Sequence, residues 1–155
     1  MRAMWWATVG LIGLSTPTQA HWQWSRWGMT PVQVVAASGG TARMGAGDRS
    51  AQGDITRDVI GSYQAGSFQF EASYWFDGSG LTKVTMSQHD DAKCLDLQRD
   101  LTAKYGKPLE YEGGSVERRM WADKPNENRV VLITSNLAFC ELQYAPLVSQ
   151  AGAGL

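Results

Sequence analysis

Charge imbalance, histidine and cysteine are all scarce in this 155-residue chain, and each scarcity closes off a class of function. Lys and Arg number 14 against 15 Asp and Glu, for a net charge of −1. Without a basic excess there is no electrostatic footprint for nucleic acid or for an anionic lipid surface. The two histidines, His21 and His89, and the two cysteines, Cys94 and Cys140, lack the close spacing of a zinc site or a C-x-x-C redox motif. No phosphate-cradling loop, calcium loop or nucleophile elbow occurs. His89-Asp90-Asp91 beside Cys94 has the residue types of a base and a nucleophile, but a bridged cysteine and helix capping account for them, so hydrolase chemistry is not expected. Long apolar runs are missing as well. The one run near the start ends at Leu14 after about eleven residues, against the ~20 that a spanning helix needs.

That short run carries the clearest message in the chain. Arg2 leads into the apolar stretch, and Thr18 and Ala20 put small residues at the −3 and −1 positions of a cut after Ala20. This is the pattern of a secretory signal peptide over residues 1–20, with a mature chain from His21. No cysteine follows the run to take a lipid. The expected product is a soluble periplasmic protein with no transmembrane segment, long enough for one domain over residues 21–147. In that oxidising compartment Cys94 and Cys140 are expected to form a disulfide, which closes a loop worth roughly 4 kcal/mol on the chain-entropy argument.

Local signals then divide the chain. Thr30, Pro31 and Gln33 read as a Thr-x-x-Gln capping box with proline at the first helical position, opening a two-turn helix with Val32, Val35 and Ala36 as its apolar face and Ser38-Gly39-Gly40 as its stop. Thr41 to Asp58 shows no period and reads as a mobile surface loop. From Val59 the period becomes two: a strand to Tyr63, the alternation Phe68, Phe70, Ala72, Tyr74, Phe76, and a return from Leu81 with Thr82, Val84 and Met86 on one face. A second helix, capped by Asp90 or Asp91, puts Cys94, Leu97, Leu101 and Tyr105 on one face and ends at Gly106 before Pro108. Strands follow over Leu109 to Glu112, Val116 to Trp121, Arg129 to Ser135 and Phe139 to Tyr144, the last two joined by a tight turn near Asn136. Residues 148–155 read as a disordered tail. The order predicts an α+β two-layer sandwich: an antiparallel sheet of about six strands, two main helices on one face, α-β-β-β repeated twice.

Gly28-Met29-Thr30-x-x-Gln33-Val34, followed by Gly39-Gly40 and then strands, resembles the opening of the helix-and-sheet modules of the secreted β-lactamase-inhibitor type and of the small lipoprotein of outer-membrane barrel assembly. The resemblance implies a non-enzymatic module of the cell envelope, inhibitor-like, that binds another protein through its sheet and loops and needs no cofactor. The lipidated cysteine of the assembly lipoprotein has no counterpart here.

Candidate binding residues follow from exposure. Trp22 and Trp24 share a face if extended, where two indoles could stack on a partner or on sugar rings; the competing expectation is that they and Trp27 close one edge of the core. Trp75 points outward from its strand, so it is the large aromatic expected on the sheet face opposite the helices. Arg118 and Arg119 point to opposite faces, and Arg119 is carried as the surface candidate. An alternative reading is a copper site built on the mature N-terminal His21 with His89 as a further ligand; a third is a glycan-binding protein using the Trp22/Trp24 cluster. Thiol titration of exported material under denaturing, non-reducing conditions is expected to find no free thiol; two per chain would remove the bridge.

Overall fold

The computed structural model describes residues 21–51, 53–135 and 139–147. The expected signal peptide over residues 1–20, the turn expected near Asn136 and the expected tail 148–155 lie outside the described residues. The chain opens with a miniature hairpin, β1 (His21–Trp22) and β2 (Ser25–Arg26), turned at Gln23, whose φ is positive at 53°. Helix α1 (Pro31–Ala37) starts with the capping box: Thr30 Oγ1 accepts from the Gln33 amide at 3.4 Å and Gln33 Oε1 accepts from the Thr30 amide at 2.9 Å. Two of the four orphan amides at the helix start are thereby satisfied. The face that α1 buries is Val34 and Ser38, with Val35 half-buried, whereas Val32 is 70 % exposed. Two turns of small and β-branched residues are too short for periodicity to fix a face.

Four strands follow, β3 (Ala42–Arg49), β4 (Thr56–Ala65), β5 (Phe68–Asp77) and β6 (Gly80–Gln88). Helix α2 (Asp91–Tyr105) is capped by Asp90, whose side chain accepts from the Lys93 amide at 3.2 Å. Beyond Gly106 come β7 (Glu110–Glu112), β8 (Val116–Asp123), a 3-10 turn at Lys124–Asn126, β9 (Asn128–Ser135) and β10 (Phe139–Pro146). The large sheet has eight strands in the order β3-β4-β5-β6-β10-β9-β8-β7, every neighbouring pair antiparallel.

The α+β class holds, but the strand count is corrected from about six to eight, and the repeat is a helix followed by a four-stranded meander, twice. The two halves meet back to back where β6 pairs with β10, Met86 opposite Leu142. The strand of the large sheet that the sequence did not mark is β3, eight residues that lie within the expected mobile loop. It is an edge strand with an almost wholly exposed burial pattern, so no alternation of apolar residues marks it. Alternation did mark β5, whose Phe68, Phe70, Ala72, Tyr74 and Phe76 are all buried. On β6 a register irregularity opposite Trp75 and Phe76 skips Thr82 and turns Leu81 into the core in its place.

Both helices lie on one face of the sheet, because Val34 of α1 and Cys94, Leu97 and Leu101 of α2 join one core with the inward residues of β5, β6, β9 and β10. Helix α1 sits over small residues in register across three strands, Ala42, Gly61 and Ala72. A methyl added at Gly61 would come within 2.5 Å of the Thr41 carbonyl oxygen. On α2 the Cys94–Cys140 disulfide is formed, with Cα atoms 5.8 Å apart, and fastens the helix to β10. Thr30→Ala is expected to lower stability by about 1 kcal/mol, since it leaves a helix-start amide unpaired; urea unfolding checks this, and an unchanged midpoint would contradict the capping role.

Candidate functional site

Cross-strand register assigns each strand residue to one of two faces, because side chains alternate and opposed residues share a side. One row, running Arg119–Leu132–Leu142–Met86–Ala72–Gly61, lies under the helices. The next row, Met120–Val131–Gln143–Thr85–Ser73–Ile60, faces away from them. No described segment covers this second, open face. Trp75 belongs to it, between Arg57 on β4 and Lys83 on β6.

The open face has a consolidated centre. The Trp75 indole N–H donates to Thr85 Oγ1 at 3.1 Å, and the Lys83 ammonium stands 4.9 Å from the Trp75 ring centroid. Thr85 and Val131, both on this face, are only 4 % and 1 % exposed. Around that centre the apolar Ile60, Met120 and Ile133 are interspersed with polar and charged residues. Arg57 pairs with Asp48 of the edge strand, and Arg118 lies 3.6 Å from Glu112. Two hollows interrupt the surface. One, of about 500 Å³, lies over β3, β4 and β5 and is lined by Arg43, Arg57, Ile60, Ser62, Glu71 and Ser73 among others. The other, of about 660 Å³, lies over the far end of β7 to β10 and takes in Leu109, Met120, Arg129 and Pro146.

Trp75 is half-buried at the heart of this face. Trp22 is 3 % exposed and stands edge-on to Tyr63 and Tyr74, ring centroids 5.1 and 5.9 Å away, with Tyr144 at 6.1 Å. It is a core residue on the helix side, so as a surface-binding candidate it is corrected. Trp24 is partly buried and lies against Tyr74 at 5.6 Å. Trp27 donates its indole N–H to Asn128 Oδ1 at 3.0 Å, and the Asn128 amide donates to the His21 carbonyl at 2.9 Å. The hairpin thus fills the gap that the two helices leave over the middle of the sheet.

Arg119 is likewise corrected. It lies on the helix side with its side chain 13 % exposed, 2.6 Å from Glu117 and 5.1 Å over the Tyr111 ring. Its hydrogen bond and charge hold the Glu117 carboxyl below the ordinary carboxylate range. Of this pair it is Arg118 that lies on the open face, and only register, which a lone sequence does not supply, tells the two apart. His21 and His89 are not brought together. His21 sits beside Asn128 and Tyr144, while His89 is tilted against Phe139 at the other end of β10, about five residues or ~17 Å along the strand. Among the described residues no three His, Cys, Asp or Glu side chains cluster as metal ligands, and no helix is long and apolar enough to cross a membrane.

No known protein family, characterised protein or solved structure matches this chain. Trp22→Ala is expected to destabilise the fold by about 3–5 kcal/mol, as for any large aromatic removed from a core; a loss below about 1 kcal/mol in chemical unfolding would mean that the hairpin is dispensable to the core.

Proposed function

We propose that this chain is an exported, non-enzymatic module that binds another protein of the cell envelope through the open face of its sheet. The observation that carries the reading is the unequal treatment of the two faces. One is buried under two helices and a tryptophan-rich hairpin; the other carries no covering segment among the described residues, yet has a consolidated Trp75–Thr85–Lys83 centre with Arg57 beside Trp75. Eight strands at ~4.8 Å spacing make a face about 34 Å across, and with strands of about 30 Å it matches the ~800 Å² per partner of a standard interface. A half-buried indole with charged neighbours is the composition of an interface anchor with its rim. The signal-peptide pattern and the disulfide support export, and the helix-and-sheet resemblance supports a partner that is itself a folded protein.

The test is affinity capture from envelope extract with the mature chain, its Trp75→Ala and Ser73→Arg variants, and Val32→Asp on the exposed side of α1 as a control. A single stoichiometric protein retained by the parent and by Val32→Asp, and bound at least about 30-fold more weakly by Trp75→Ala with an unchanged thermal midpoint, is the expected result. Capture that is indifferent to Trp75 and Ser73 would move the interface off this face.

A further inference from the structure

On the helix side, where the N-terminal hairpin meets the end of α2, a polar pocket of about 230 Å³ is lined by His21, Lys104, Tyr105, Asp123, Asn126 and Tyr144 among others. Asp123 is 5 % exposed and among the described residues takes hydrogen bonds from neutral groups, the Asn126 amide at 3.0 and 2.9 Å and the Tyr105 hydroxyl at 3.4 Å. It forms no ion pair among the described residues. A carboxylate so buried is ordinarily paired with a cation. Lys104, on the same wall, is exposed and directs its ammonium over the Tyr105 ring at 4.8 Å. Tyr105 first and, less, the charge of Asp123 raise its pKa, with no ion pair formed between Lys104 and Asp123. A second polar atom in the pocket wall, His21 Nδ1, is buried with no hydrogen-bond partner among the described residues. The His21 carbonyl is meanwhile pinned by Asn128, itself fixed by Trp27, so the backbone at His21 is held against the pocket.

We infer that this pocket seats the α-ammonium created when the chain is cut before His21, with Asp123 as its counter-ion. The inference rests on the exported reading, through the cut after Ala20. Hydrolysis breaks the C–N bond between Ala20 and His21; the hydroxyl of water joins the Ala20 carbonyl carbon, leaving a carboxylate, and the His21 nitrogen becomes an amine that takes up a proton. An uncharged amide with one donor is thereby replaced by a cation with three. One donor meets Asp123 and another meets the unpartnered Nδ1 of the same residue. The uncut precursor retains a buried carboxylate with no ion pair among the described residues, so processing itself completes the fold.

The test compares a chain beginning at His21, released from a fusion that leaves no extra residue, with one carrying Gly-Ser-Gly before His21, each with Asp123 and with Asp123→Asn. The expected result is a roughly tenfold larger unfolding constant for the extended chain at pH 6, seen as a thermal midpoint lower by about 4 °C. That difference vanishes in Asp123→Asn. The groups around the amine are Asp123 from β8, Lys104 and Tyr105 from α2, Tyr144 from β10 and the His21 imidazole. Pairing raises the amine pKa in the folded state, so the extra stability is fully present below the unfolded value of ~8 and is lost as pH rises through the raised one. Equal midpoints with and without the extension overturn the inference, as does a difference that persists in Asp123→Asn. Should that variant not fold, NMR titration of the His21 amine decides: a pKa at or below that of a free α-amine overturns it. Lys104→Gln that lowers both chains equally, with no effect of the extension, assigns Lys104 as the counter-ion instead. N-terminal sequencing of exported material separates a failure of the cut from a failure of the pairing.

Discussion

Everything in this molecule depends on the antiparallel pairing of β6 with β10. Each half of the chain is a helix followed by a four-stranded meander, and each meander alone would leave its last strand as an open edge. Joining the two last strands turns both edges into the middle of one sheet and places Met86 and Leu142 opposite each other in a shared core. The helices stand apart on either side of this seam, α1 against β3 and β4, α2 against β8 and β10. The space between them is closed by the N-terminal hairpin, whose Trp22 touches Tyr63 and Tyr74 of the first half and Tyr144 of the second. The Cys94–Cys140 bridge holds the second helix to the strand that forms the seam.

This division of labour leaves the reverse side of the sheet free of structural duty. The side chains there still order one another. Trp75 is held by Thr85 and Lys83, and arginines on β4 and β8 are tied to carboxylates of the edge strands. On the proposed reading, a partner would meet side chains that are already positioned, which reduces the ordering cost of association.

What the sequence disclosed tracks how each signal arises. Capping at Thr30 and Asp90, the alternation of β5 and the spacing of Cys94, Leu97 and Leu101 are local chemistry, and the structure carries each of them. Edge strand β3 was illegible because neither of its faces is well buried, and an exposed Gly-rich strand reads like a loop. Leu81 and Thr82 exchanged roles because a bulge shifts the phase of a strand without leaving a trace in composition. Arg118 and Arg119 could be told to oppose each other, but which of them shares a face with Trp75 depends on the partner strands, several of them distant in sequence. The same holds for Asp123, whose burial beside His21 joins segments about a hundred residues apart.

The two outer edges of the sheet bear on the behaviour of the protein at high concentration. β7 contributes only three residues, bearing Glu110 and Glu112. β3 is interrupted between Met44 and Asp48, around Gly45 and Gly47. Neither offers the long, flat, uncharged row of amides and carbonyls that a second sheet needs in order to add on. An open strand edge is where further strands add edge to edge, and here irregularity at one border and negative charge at the other oppose that growth.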